Sequence, residues 1–239
     1  MFKRFLTLTI SFLLVGYFAQ AQNVDDIIAK NIKARGGEKN IQDIKTIKST
    51  MKMSMMGMEF PMTVYVKNNE STRIEMEFMG QAMITVVTPT AGWMSQGGTI
   101  QDIPAENLAD ARASTAQQNP LNNPLVDYKN KGTKITYEGT EKVDGKDAYK
   151  LKIVTKDTTE LILFIDKETN LEFKSIVKQN MMGQEAEMEV VMKDNKYVGN
   201  VLIPHLIEMY QAGQNMGTIT FDKIEVNIPI DDKLFERPQ

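Results

Sequence analysis

The chain has 239 residues, a formal net charge of −3, one histidine and no cysteine. Without cysteine it forms no disulfide, presents no thiol nucleophile and carries no lipid-modified N-terminal cysteine. The slightly acidic balance argues against nucleic acid as a partner and against an electrostatic grip on anionic membrane.

Residues 1–21 read as an export signal. Lys3 and Arg4 form a basic start, Phe5 to Phe18 is mostly apolar, and Ala19-Gln20-Ala21 supplies small residues for cleavage after Ala21. Thr7, Thr9, Ser11 and Gly16 interrupt the apolar run, which is also shorter than the roughly 20 residues of a membrane-spanning helix. Cleavage removes Lys3 and Arg4 but no acid, so the formal charge moves from −3 to −5. The remainder, residues 22–239, has no linker-like stretch and is expected to form one exported domain in the periplasm.

The first element of that domain is a helix. Asn23 can cap it, Asp25 and Asp26 suit its first turn, and Val24, Ile27, Ile28 and Ile32 form an apolar stripe that Gly36-Gly37 ends. From about Ile44 the period becomes that of strands, with candidates at 44–56, 59–67, 72–79, 81–88 and 91–95. Met56-Gly57, Asn68-Asn69 and Met79-Gly80 join them, and connections this short predict antiparallel neighbours. Residues 96–130 break the pattern with Gly97-Gly98, a short helix entered at Pro104, and Leu121, Leu125, Val126 and Tyr128 around Pro120 and Pro124. Strands resume at 133–142, 146–155, 159–166, 171–180, 184–197, 202–211 and 217–228, with turns at Val143-Asp144-Gly145, Asp166 to Asn170 and Asp194-Asn195. The expected fold class is α+β: a single large curved antiparallel sheet of about 11–12 strands, because so wide a twisted sheet curls. The N-terminal helix and a helical lid at 96–130 are the pieces available to fill its concave face.

Every methionine except Met1 lies in one of two stretches, Met51 to Met94 or Met181 to Met216. Alternate side chains of a strand point to opposite faces, and the methionines keep to one parity. Met51, Met53 and Met55 oppose Lys48, Thr50, Lys52 and Ser54; Ile74, Met76 and Phe78 oppose Arg73, Glu75 and Glu77. Ala186, Met188, Val190 and Met192 oppose Glu185, Glu187 and Glu189, with Val191 breaking the alternation. The candidate ligand-binding face is therefore hydrophobic: Met51, Met53, Met55, Met62, Val64, Ile74, Met76, Phe78, Met83, Met188, Met192 and Met209.

The pieces VDDIIAKNIKARGGEKNIQDIKTIK, GWMSQGG, PLVDYKNKGTKITYEGTEKVDGKDAYKLKI, FIDKETNLEFK, VLIPHLIE and IDDKLFERP together resemble the LolA-like family of exported outer-membrane lipoprotein-sorting proteins. The resemblance spans essentially all of residues 22–239. It implies a half-open β-barrel with a helical lid, acyl chains of lipoprotein or lipid cargo held in the cavity, transport across the periplasm, and delivery partners at the inner and outer membranes. Carriers of this family latch the lid with an arginine on an early strand. Arg73 is the only arginine in the early strands here, and its flanks and register do not secure the match, so that role is not assigned to it.

Methionine suits such cargo because it is unbranched, polarizable and able to repack. Burying one chain of about sixteen carbons at roughly 0.8 kcal/mol per methylene yields on the order of 12 kcal/mol before binding costs. Three chains would exceed the practical affinity ceiling of about 20 kcal/mol, so a carrier must hold them imperfectly. The bland reading is that these methionines are core beneath the N-terminal helix. Two rivals remain: Cu(I) handling by the thioethers of MKMSMMGM, and a lipid-sensing interaction domain. No Cys or His cluster accompanies the methionines, so no metal or cofactor is expected, and the chain is expected to be a monomer. His205, the single histidine, reads as structural, and Trp93 as core. No G-x-S-x-G, phosphate-loop or dinucleotide motif occurs, Asp166 to Asn170 lacks calcium-loop spacing, and solvated faces account for the carboxylates, so no enzyme is expected.

Overall fold

The computed structural model describes residues 24–238 apart from 69, 157–158 and 182–183. The expected export signal and the helix cap Asn23 lie outside the described residues. Residues 24–34 form helix α1, followed by α2 (Glu38–Gln42). The strands are β1 (Thr46–Met55), β2 (Met58–Lys67), β3 (Ser71–Phe78), β4 (Gln81–Val87), β5 (Gly92–Gln96) and β6 (Thr99–Asp102). A 3-10 turn (Ala105–Asn107) and helix α3 (Leu108–Ala116) come next. Then follow β7 (Lys134–Val143), β8 (Lys146–Val154), β9 (Glu160–Asp166), β10 (Glu172–Met181), β11 (Gln184–Val198), β12 (Val201–Gln211), β13 (Gln214–Val226) and a 3-10 turn (Asp232–Phe235).

The fold class is α+β, with one sheet of thirteen strands in the order β6-β5-β4-β3-β2-β1-β13-β12-β11-β10-β9-β8-β7. Its two end strands are not neighbours, so the sheet is unclosed. The strand beyond the expected number is β6, which pairs with β5 across Gly97-Gly98, both at positive φ (56° and 87°). Thr99-Ile100-Gln101-Asp102 carries a single apolar residue, too little for an alternation signal. A second correction concerns Asp194-Asn195, expected as a turn. The strand runs through it, and Asp194 takes φ 54° within β11.

The described residues divide into two compact units, residues 24–35 with 124–189, and residues 36–123 with 190–238. In the first unit α1 buries Val24, Ile27 and Ile28 as expected, and the stripe then continues through Asn31 and Arg35. Arg35 forms a buried ion pair with Glu172, while Asn31 Nδ2 donates to Glu172 Oε2 at 2.7 Å and to the Asn170 carbonyl at 2.9 Å. Glu172 opposes Ile165, whose face of the sheet also carries the buried Leu151, Ile153 and Leu163. The turn Asp166 to Asn170 forms as predicted: Asp166 Oδ1 accepts from the backbone N–H of Glu168 at 2.8 Å and of Thr169 at 3.4 Å. Burial pushes the Asp166 carboxyl up, but these donors and Lys146 outweigh it and hold the group below the usual carboxylate range. The opposite face of this unit carries a smaller cluster of Ala148, Phe164 and Phe173.

In the second unit α1's stop signal finds its reason. A Cβ on Gly36, at φ 114°, would lie 2.1 Å from the Asn200 carbonyl oxygen, so only glycine fits. Strands β1 to β5 form an antiparallel meander, with β13 antiparallel to β1 and β12 to β13. Register shifts at Thr50/Met51 and Met209/Tyr210 mark bulges, which bend and twist strands locally.

Candidate functional site

Register in the second unit gathers the predicted residues. Met51 opposes Met62, Met62 opposes Met76, and Met76 opposes Met83, giving one row of methionines across β1 to β4. Directly opposed side chains share a face with Cβ atoms about 5 Å apart. In the row beyond, Met53 opposes Phe60, and Phe60 stacks on Phe78 with ring centroids 5.4 Å apart. In the row before, Ser49, Val64, Ile74 and Thr85 oppose one another in turn. Ile219 links Met53 to Ile207, so Met209, two residues on, joins the same face. It opposes Gly217, where an added Cβ would lie 3.1 Å from the Met209 methyl carbon. Met55, opposite Met58, completes the face at the hairpin end.

The two methionines of β11 are located by their neighbours. Lys193 pairs with Glu208 at 2.8 Å on the outer side of the sheet, so adjacent Met192 turns to the methionine face of the second unit. In the first unit Glu189 pairs with Lys174 at 2.7 Å, on the face opposite Leu163, so Met188 turns to the face that Glu172 and Leu163 occupy. Lys193 first, then Tyr210, hold the Glu208 carboxyl below the usual carboxylate range.

The electrostatic asymmetry is sharp. On β1 to β5, β12 and β13 the only ionisable side chain sharing the methionine face is His205, whereas Lys48, Lys52, Arg73, Glu75 and Glu77 all point to the other. On these strands the face presents hydrocarbon and thioether rather than charge.

Exposure is graded along it. Val64 (0%), Met51 (1%) and Met62 (6%) are buried, while Met55 (40%) and Met58 (46%) at the hairpin end, and Met94 (45%) on β5 in the row of Val64, are exposed. Met53, Ile74, Met76, Phe78, Met83, Met192 and Met209 are half-buried. Within this unit α3 packs on β3 and β4. Gly92 makes room for it, since a Cβ there would lie 3.1 Å from Leu108 Cδ1 and 2.9 Å from Ile103 Cδ1. Helix α3 buries only Leu108 and Thr115, and Arg112 ties it to the Pro89 carbonyl.

Arg73 lies on the outer face. It donates to the Leu234 carbonyl at 2.8 Å and to Glu75 at 2.6 Å, and its guanidinium sits 5.8 Å from the Trp93 ring centroid. Trp93 is core, clustered with Val86 and Phe235, so Arg73 pins the C-terminal turn rather than α3. His205 is buried, donates from Nδ1 to the Ile203 carbonyl at 2.9 Å and packs edge-on against Phe221. Among the described residues no group of three or more His, Cys, Asp or Glu could hold a metal ion, and no helix is long and apolar enough to cross a membrane. Asn31, Arg35, Glu172 and Ser49 were missed. The signal for Asn31 and Arg35 was spacing: they continue the Val24, Ile27, Ile28 stripe at helical intervals.

No family model matches the sequence, and no curated protein matches it either. Solved structures do resemble the fold. A DUF1329 family protein from Desulfovibrio piger superposes at a TM-score of 0.60 with 12% identity, covering 89% of this chain and 97% of the other. A LolA superfamily protein from Nitrosomonas europaea gives 0.57 with 15% identity over 89% and 97% of the two chains. A domain assigned as an outer membrane lipoprotein-sorting protein, from Vibrio parahaemolyticus, gives 0.57 with 12% identity over 87% and 97%. The chain has the LolA-like fold.

Proposed function

We propose that this LolA-like chain is a non-enzymatic periplasmic carrier that takes acyl chains of lipoproteins or lipids against the methionine face and passes them toward the outer membrane. The observation that carries the reading is the row Met51-Met62-Met76-Met83 on a face without acids or lysines, buried at one end and exposed at the other. A chain laid on one such face loses water on one side only, so about half of the roughly 12 kcal/mol for sixteen carbons is available before the costs of association. Closing α3 over the chain supplies the rest, and lifting it releases cargo. The lipoprotein-sorting assignment of the Vibrio neighbour agrees with acyl cargo. The chain works as a monomer.

Native mass spectrometry of the protein purified from periplasm without detergent tests this. Bound acyl species are the expected result. Added copper mass would support thioether coordination instead, and a bare chain that also refuses a soluble acyl probe would overturn the carrier.

A further inference from the structure

The hairpins β1–β2, β3–β4, β5–β6 and β12–β13 all turn at the same end of the second unit, because β1 to β6 form a meander and β13 runs antiparallel to β1. Two of these turns are Met-Gly pairs. Met56 and Met79 both take φ 51°, followed by Gly57 and Gly80 at 77° and 74°. Asn or Gly is the residue such two-residue turns prefer, and a left-handed methionine is strained by comparison. Packing does not compensate, since Met56 is 84% and Met79 80% exposed. The tips stand about 10 Å apart, two strand spacings. Met55, Met58 and Met216 are exposed around them. Residues 54–59, 77–82, 95–100 and 210–216, which make this end, contain Glu59 and Glu77 as their only charges and no base. The other end of the unit holds Asp43, Lys45, Lys67, Glu70, Asp231, Asp232 and Lys233.

We propose that this methionine-tipped end inserts into the surface of a phospholipid bilayer, and that cargo crosses there directly between bilayer and carrier. The inference rests on the acyl-carrier reading. Continuity favours lipid over other occupants: the face that would hold hydrocarbon runs without a charged side chain through Met53, Met55 and Met58 to the tips. Flexible, unbranched side chains at turn tips fit a fluid acyl boundary, which has no fixed shape to complement. The absence of bases means that insertion depends on apolar contact and not on anionic headgroups.

The test uses the full chain, phosphatidylcholine vesicles and a dansylated undecanoic acid as probe, with Met56→Asn and Met79→Asn combined. Asn relieves the left-handed strain, so this variant folds at least as stably as the native chain, as a thermal melt will report. In the native protein, probe transfer from donor to acceptor vesicles should speed up in proportion to acceptor concentration, and high salt should not slow it. The double variant should transfer about tenfold more slowly, with acceptor dependence lost, while taking up probe from solution as the native chain does. Native transfer that ignores acceptor concentration, or an unaltered rate in the variant, overturns the proposal. Loss of transfer in high salt overturns it in favour of electrostatic docking. A native dimer that the variant converts to monomer overturns it in favour of a second copy covering the tips. If the native chain takes up no soluble probe, the carrier reading fails by itself, and co-flotation of native and variant chains with vesicles decides the docking.

Discussion

Replacing Met76 by Asp should abolish acyl binding while leaving the sheet folded. Met76 sits in the middle of the methionine row, opposed by Met62 on one side and Met83 on the other, and is half-buried. A carboxylate there keeps its hydration shell, because no base on this face can pair with it. An acyl chain crossing the row must leave about four methylenes in water, a loss of about 3 kcal/mol, or about a hundredfold in Kd. The fold itself loses less, about 1–2 kcal/mol, because the side chain is only partly buried and its carboxylate can reach solvent. Titration with the dansylated fatty acid measures binding, and far-UV circular dichroism with a thermal melt monitors the fold. Met76→Leu, which preserves the hydrocarbon, should bind within a few-fold of native. A folded Met76→Asp protein with native affinity would refute the assignment of this face.

Gly92→Cys with Leu108→Cys places the only thiols of the chain where α3 meets β5; oxidation should slow probe exchange and reductant restore it, whereas equal rates would refute the lid. Glu172→Ala strands Arg35 without its buried carboxylate and should lower stability by about 3–5 kcal/mol in a denaturant titration, far more than an exposed charge would. Asp166 has a lowered pKa in the fold, so its stabilisation is complete above the ordinary aspartate value and is lost as pH falls through the lowered one. The Tm advantage of native over Asp166→Asn should accordingly be present at neutral pH and vanish in strong acid. His205→Gln should cost about 1–2 kcal/mol of stability through lost packing on Phe221 and leave acyl binding unchanged; a large binding loss would revive a metal role.

Alternation was the most legible part of this chain. Parity placed Met51, Met53 and Met55 on one face of β1 and Ile74, Met76 and Phe78 on one face of β3, because a strand's period is two whatever its neighbours are. Turn chemistry was nearly as clear: Met56-Gly57, Met79-Gly80 and Asp166 to Asn170 connect strands where expected. Asp194-Asn195 misled because the left-handed residue it supplies sits inside a continuous strand instead of ending one. Strand β6 was illegible because its pairing comes from β5 and not from its own pattern.

The sequence by itself thus determined which residues are apolar on each strand, that the strands are antiparallel, and that the chemistry is neither thiol-based nor basic. Only the tertiary structure decided that Met51, Met62, Met76 and Met83 form a single row, since register depends on hairpin geometry and on partners far away in sequence. It also decided that Arg73 faces the C-terminal turn, and that Asn31 and Arg35 end their helix on Glu172. Those contacts join residues more than a hundred positions apart, and local pattern carries no information about which distant carboxylate or carbonyl a polar side chain will meet.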